Sequence, residues 1–267
     1  MSLFTKFFRR TENGRPDEYR GPADRRVYAI GDIHGRADLL VQLLERIDQD
    51  RADSTRPSEI IFLGDYIDRG EHSEGVITHC LQLKARSRTD PTIASIVFLK
   101  GNHEDAMLAF LDDPEKGAAW LSYGGLSTVQ SYKADGPSSL LNSSALSELR
   151  DGLEKALPVD HLQFLKELKA YHCVGDYLFV HAAVHPSLSL VDQPDEVLYW
   201  GNEDFLRRPW KEPYMVVHGH TITELPEIRP FRIGVDTGAY YSGRLTAVCI
   251  DGADVHFLDT LAESASE

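Results

Sequence analysis

Short aliphatic runs recur along the chain, and each empties into a cluster of polar residues. Val27 to Ile30 leads to Gly31-Asp32, and Ile60 to Leu63 leads to Gly64-Asp65. Ile96 to Leu99 leads, past Lys100, to Gly101-Asn102-His103. Further on, Tyr177 to Val180 leads to His181, and Met215 to Val217 leads to His218-Gly219-His220. Continuous apolar runs of this length predict buried strands. Between the first three, Leu39, Leu40, Leu43, Leu44 and Ile47 recur at helical spacing, and Val76, Ile77, Cys80, Leu81 and Leu83 follow it more loosely. Strands alternating with helices predict a parallel sheet with right-handed crossovers. In such sheets ligands bind outside the carboxyl ends of the strands, where these polar clusters fall.

From Glu104 to about Ala170 the texture changes. Ala106 to Leu111, Ala118 to Val129, Ser144 to Leu157 and His161 to Leu168 predict helices, broken by the Gly, Pro and Ser cluster from Asp135 to Ser139. This reads as a helical insertion over about 104–170, beside the sheet and shaping substrate access. Arg232 to Val235, Leu245 to Ile250 and Val255 to Leu258 then predict short strands and a second sheet packed on the first. The expected organisation is one domain over 26–260 between a flexible tail at 1–25 and a short one at 261–267.

Composition narrows the partners. A formal net charge of -14 over 267 residues argues against a nucleic-acid or anionic-membrane surface. A phosphate substrate would therefore need a local positive field from metals and a few arginines. Cys80, Cys173 and Cys249 are far apart and outside any paired motif, which fits reduced thiols in a cytoplasmic protein. No apolar run reaches membrane-span length. Met1 to Arg10 places Phe4, Phe7 and Phe8 beside Lys6, Arg9 and Arg10, without the apolar core or cleavage site of a signal peptide.

The candidate chemistry lies in three runs: Gly31-Asp32-Ile33-His34-Gly35, Gly64-Asp65-Tyr66-Ile67-Asp68-Arg69-Gly70 and Gly101-Asn102-His103-Glu104. Asp32 and His34 are one residue apart, so at a strand end both can face one ion. Asp65 has two oxygens to share between ions, Asn102 offers a neutral oxygen, and His181 and His220 offer imidazoles from later strands. Carboxylate, amide and imidazole groups gathered on loops suit a pair of divalent metals. The absence of thiolate fits manganese, taken first, or iron or zinc.

Five such segments in order resemble the phosphoprotein phosphatase family of dinuclear metallophosphoesterases, in its bacterial serine/threonine phosphatase-like form, over about Arg26 to Asp259. The resemblance implies an α/β fold in which a central β-sandwich of two mixed sheets is flanked by helices. It implies Asp32, His34 and Asp65 on one metal, and Asp65, Asn102, His181 and His220 on the second. Two such ions, about 4 Å apart, clamp a phosphoryl group and hold a bridging hydroxide that attacks in line. The resemblance further implies His103 as general acid, Asp68 as the carboxylate that orients it, and Arg69 as a phosphate clamp. Asn102 is also placed near the phosphate.

Bacterial relatives often read Trp-x-Arg where this chain reads Trp200-Gly201-Asn202, so one cationic contact is lost unless Arg207, Arg208 or Arg244 replaces it. Arg244, with Tyr240 and Tyr241, is expected near the substrate. Trp120, Tyr123 and Trp200 are expected to pack, with stacking on a substrate as the alternative, Gly124-Gly125 to end a helix, and Glu104 to support the ligands or open a helix. The expected function is hydrolysis of phosphoserine, phosphothreonine or phosphotyrosine in a phosphoprotein. Dinucleoside polyphosphates or other phosphorylated small molecules are the alternative substrates. An inactive phosphate-binding scaffold is a third reading. The Gly-Asn-His-Glu and Asp-Tyr-Ile-Asp-Arg runs favour the protein phosphatase.

Overall fold

The structure is a computed structural model that describes residues 19–52, 54–137 and 144–261. Most of the predicted N-terminal tail, part of the Asp135 to Ser139 cluster and nearly all of the C-terminal tail lie outside the described residues. The first half runs β1 (Arg26–Ile30), α1 (Ala37–Ala52), β2 (Ser58–Phe62), α2 (Ser73–Arg86) and β3 (Ile93–Phe98). Five helices follow: α3 (Asn102–Asp112), α4 (Gly117–Trp120), α5 (Leu126–Ser131), α6 (Ala145–Ala156) and α7 (Val159–Lys166). Then come β4 (Tyr171–Val174), β5 (Tyr177–Val180), α8 (Asp195–Trp200), β6 (Met215–His218), β7 (Glu227–Ile228), β8 (Arg232–Gly234), α9 (Ala239–Ser242), β9 (Thr246–Asp251) and β10 (Asp254–Asp259).

The strands form two five-stranded sheets, ordered β10-β9-β1-β2-β3 and β4-β5-β6-β8-β7. β1, β2 and β3 are parallel, as the crossovers require, while β9 and β10 join antiparallel at the edge. The second sheet is parallel through β5, β6 and β8 and antiparallel at both edges. Both sheets are therefore mixed, as expected.

Side-chain alternation along each strand sorts residues between layers. Val27, Ala29, Ile61, Leu63, Val97 and Leu99 point into the space between the sheets, against Phe179, Val217 and Ile233. Tyr28, Ile30, Ile60 and Phe62 face the other way, onto Leu40, Leu43 and Ile47 of α1 and Val76, Ile77 and Cys80 of α2. A third cluster covers the outer face of the second sheet, where Leu178, Val180 and Val216 meet Leu198, Phe205 and Trp210. Among the described residues no helix is long and apolar enough to cross a membrane.

The structure departs from the predicted elements in the insertion. The helix expected over Ala118 to Val129 is broken into α4 and α5 by a wider, π-type turn over Leu121–Gly125, with Gly124 at φ 111°. A positive φ is compatible with glycine and ends regular helical winding. β4, β7 and α8 lack a clean apolar period, and pairing with their neighbours decides their conformation.

One charged residue lies inside the sandwich. Glu59 on β2 is buried and accepts hydrogen bonds from Arg25 (2.7 Å) and His172 (3.0 Å), tying the two sheets together. Burial opposes its charge, yet the hydrogen bonds from His172, Arg25 and Ser95 win and pull its pKa from 4.5 to about 2. A depressed carboxyl pKa stabilises the fold above the unfolded value and loses that contribution as pH falls through the folded one. Glu59 should therefore contribute about 3 kcal/mol at neutral pH, lost between pH 4.5 and about 2. In urea titrations, the stability gap between wild type and Glu59→Gln should close as the pH drops through that window. A gap independent of pH would refute the assignment.

Candidate metal centre

Loops leaving the carboxyl ends of five strands converge at one edge of the sandwich. His34 follows β1, Asp65 and Asp68 follow β2, Asn102 and His103 open α3 behind β3, His181 follows β5, and His220 follows β6. Asp65 sits at the middle. Its Oδ2 lies 3.4 Å from His34 Nε2 and 3.9 Å from His103 Nε2, and its Oδ1 lies 3.4 Å from His181 Nε2. Asn102 Oδ1 stands 3.0 Å from both His181 Nε2 and His220 Nδ1. Two sets of potential ligands result, each with its donor atoms within 4.8 Å of one another: His34, Asp65 and His103, and Asp65, His181 and His220.

The tautomers show what these atoms can hold. His34 Nδ1–H donates to Ile67 O (2.9 Å) and His181 Nδ1–H donates to Leu63 O (3.0 Å), because a carbonyl can only accept. Burial keeps both rings neutral, with pKa values pushed down to about 3 for His34 and about 4 for His181. Each Nε2 therefore presents a lone pair to the Asp65 carboxylate, which is also an acceptor. Lone pairs converging from neutral imidazoles and a carboxylate are satisfied by a cation, and a backbone carbonyl on the far ring nitrogen is the usual way to aim such a ligand. Burial alone would raise the Asp65 pKa, but His181, His103, His34 and His220 hold it well below the ordinary carboxylate range.

Asp32 stands apart from both sets. Its carboxylate accepts from the His220 backbone N–H (3.0 and 3.2 Å) and is buried. Burial and the charges of Asp236 and Asp65 push its pKa up, and burial likewise pushes Asp236 up to about 6. Two buried carboxyls held against each other are a further mark of a cation site.

Holding these groups together strains the backbone. Among the described residues six non-glycine positions have positive φ, and five are His34 (47°), Asp65 (50°), Asp68 (73°), Arg69 (67°) and His220 (58°). Each costs on the order of 1–3 kcal/mol and persists only where its surroundings fix it. Glu104 does much of the fixing. Its buried carboxylate accepts from the backbone N–H groups of Gly101 (3.0 Å), Asp65 (2.9 Å), Tyr66 (2.8 Å) and Ile67 (3.3 Å). It thereby ties the β2 loop to the start of α3. Gly101 completes the joint, since a Cβ there would lie 2.1 Å from Asp65 Oδ1.

Beside this cluster His103 Nδ1 lies 2.6 Å from Asp68 Oδ2, and its Nε2 lies 3.2 Å from Arg69 Nη2. Burial lowers the His103 pKa, but the charges of Asp65 and Asp68 outweigh it and the net shift is upward. Arg69 also rests over the ring of Tyr240, 4.8 Å from its centre, and Tyr240 meets His34 edge-on.

Residues 25–232 match the family model of the calcineurin-like phosphoesterases. The chain belongs to that family. Several relatives are similar over most of its length. An asymmetrical bis(5'-nucleosyl)-tetraphosphatase of Bacillus anthracis is 27% identical over 230 residues, which is 82% of this chain and 88% of that one. A counterpart with the same name from Bacillus thuringiensis shows the same values. Among solved structures, a candidate diadenosine tetraphosphatase superposes with TM-score 0.60 at 19% identity, over 90% of this chain and 96% of that one. A cold-active protein-tyrosine phosphatase from a Shewanella species gives 0.56 at 17%, over 95% and 87%. At these identities the two structures bear on the fold alone.

Divalent metals are implied by membership of the family, and the donor set of this phosphoesterase fits them. The remaining candidates divide. Arg69 reaches the cluster. Arg244 is taken up by Glu224 O (2.9 Å) and Asp259 (3.4 Å), and Arg208 by Asp204 (3.7 Å). Asn202 Oδ1 caps its own turn by accepting from Asp204 N. His218 lies one step back in β6, buried between Gly219 O and Arg232.

Sequence reasoning left Glu104 open and read Trp120 as packing, ahead of stacking on a substrate. Trp120 does stack on Phe110 and is buried, but its Nε1–H also donates to Asp68 Oδ2 at 2.8 Å. Nothing in a single sequence marks a bond spanning that distance along the chain.

Two variants test the site. Asp65→Asn should lower bound manganese, measured by atomic absorption after dialysis, from about two ions per chain to about one or fewer. Unchanged content would remove Asp65 as the shared point. Glu104→Ala should lower the unfolding free energy by about 3 kcal/mol in urea, since four backbone donors lose their acceptor.

Proposed function

We propose that this phosphoesterase is a phosphoprotein phosphatase that hydrolyses phosphomonoesters with two divalent ions. Asp32, His34 and Asp65 would hold one ion and Asp65, Asn102, His181 and His220 the other, with manganese the first metal to try. When bound, such ions polarise the phosphoryl group and supply hydroxide near neutral pH. The observation that carries the reading is the run of Asp68, His103 and Arg69 beside Asp65. Arg69 grips phosphate oxygens with its planar donors, and the Tyr240 ring beneath keeps the guanidinium level. The neighbouring carboxylates raise the affinity of His103 for a proton, which its Nε2 would give to the leaving oxygen once Arg69 turns to the phosphate, while Asp68 fixes the ring from the other side.

The preference for a protein substrate rests on the approach to the site. A cleft of about 360 Å³ is lined by Asp105, Asp195, Glu196, Tyr199 and Trp200 with Lys100. It adjoins the cluster, because Asp105 lies one turn into α3 from Asn102, and Gly201 packs against the His220 ring. Three carboxylates against one ammonium repel a polyphosphate chain and favour a phosphopeptide with basic flanking residues. A second reading, asymmetrical cleavage of a dinucleoside tetraphosphate on the same site, is favoured by the names of the Bacillus relatives.

Manganese-supplemented turnover of a phosphoserine peptide with arginines beside the phosphate, against diadenosine tetraphosphate at equal concentration, separates the two. The expected result is a higher kcat/KM for the peptide. A higher value for the nucleotide would keep the metal and acid assignments and replace the substrate. His103→Asn should retain both ions yet lose about two to four orders of magnitude in kcat on the preferred substrate.

A further inference from the structure

The insertion reaches into the acid rather than merely bordering it. Asp68 and Arg69 occupy consecutive left-handed positions, and both are held by hydrogen bonds from residues 120–128. Asp68 Oδ2 accepts from Trp120 Nε1–H (2.8 Å) as well as from His103, and Asp68 Oδ1 accepts from Thr128 Oγ1–H (2.6 Å). The Asp68 backbone N–H is shared between Thr128 Oγ1 (2.9 Å) and Ser73 Oγ (3.1 Å). Because the one Thr128 hydroxyl proton is committed to Asp68, the 3.0 Å contact with Ser73 requires Ser73 to donate. Thr128 is thus saturated, and every hydrogen-bonding site of the Asp68 carboxylate in use points to a named donor. Asp68, Trp120, Thr128 and Ser73 are all buried.

The next residue is held the same way. Arg69 N–H donates to Gly124 O (3.3 Å), and Arg69 O accepts from Ser127 Oγ (3.3 Å). Gly124 sits in the π-type turn at φ 111°, and a Cβ there would stand 2.9 Å from the Arg69 backbone nitrogen. The break in the helix therefore has a use: it brings a carbonyl against the clamp residue and aims an indole at the carboxylate behind the acid.

We infer that Trp120 and Thr128 are positioning residues for the acid: they fix the Asp68 carboxylate so that its Oδ2 aligns His103. This rests on His103 being the general acid of the proposed reaction. Neither residue reaches substrate, so each acts through Asp68. Their loss should slow substrates that depend on leaving-group protonation and spare those that do not.

Trp120→Phe deletes the N–H and keeps a ring against Phe110. With a phosphoserine peptide, whose alkoxide leaves poorly, its kcat should fall about tenfold at unchanged KM. With p-nitrophenyl phosphate, whose phenolate leaves readily, it should fall less than about twofold. Thr128→Val should behave like Trp120→Phe, and Thr128→Ser should restore the rate. Equal losses on both esters, or no loss on either, would overturn the inference. Should Thr128→Val fail to fold, Trp120→Phe and Thr128→Ser still decide.

A second readout needs no substrate. The low-field proton of His103 Nδ1–H, identified in the proton NMR spectrum by its absence in His103→Asn, should move upfield or broaden in Trp120→Phe. An unmoved resonance would reduce Trp120 to packing. Wild-type protein that turns over neither ester would defeat the proposed function, and this resonance would then judge the inference alone.

Discussion

One buried carboxylate holds the working edge of this molecule in shape. A strand ending at Phe62 has no intrinsic reason to turn so that Asp65, Asp68 and Arg69 all adopt left-handed backbone conformations. Glu104 supplies the reason by collecting the N–H groups of Asp65, Tyr66 and Ile67 from one loop and of Gly101 from another. The β2 loop is thereby locked to the first turn of α3, and both carry candidate ligands. Packing of Trp120, Thr128 and Gly124 from the insertion then fixes the second half of the same loop. Strain at the three left-handed positions of this loop is tolerable because two separate parts of the fold hold it.

The electrostatic layout follows from the same crowding. The chain is strongly acidic overall, and the site itself gathers the carboxyls of Asp32, Asp65, Asp68, Glu104 and Asp236 out of water. Four imidazoles around Asp65 temper this, but burial keeps His34 and His181 neutral, so they offer lone pairs rather than charge. On the proposed function, affinity for a phosphate group comes from bound cations and from Arg69, a local positive field inside an acidic protein.

Much of this was legible in the chain because strand ends are local features. A run such as Ile60 to Leu63 followed by Gly-Asp announces both a buried strand and the loop where it stops, and the structure gathers His34, Asp65, Asn102, His181 and His220 at one such edge. Arg244 shows the limit of that reading. Its motif position is clear, but its guanidinium turns to Asp259 and the Glu224 carbonyl. The grip of Trp120 and Thr128 on Asp68 was out of reach for the same reason. An indole at helical spacing looks like core, and the kink at Gly124 turns the segment toward Asp68. The short strands β4 and β7 likewise owe their existence to partners rather than to their own residues.

The order of strands in the first sheet sets a timetable. β1 sits in the middle of that sheet, paired on one side with β2 and on the other with β9, where Ile30 meets Ala247. During synthesis β1 emerges long before its second partner β9, so while the intervening elements are made one edge of the central strand lacks its mate. The donor atoms around Asp65 are scattered from His34 to His220 and share that delay. A half-made chain has the first imidazole and the central carboxylate but not the later imidazoles, and so offers an ion a partial cage. The full donor set therefore exists only once the chain through His220 has folded back onto the loop that carries Asp65.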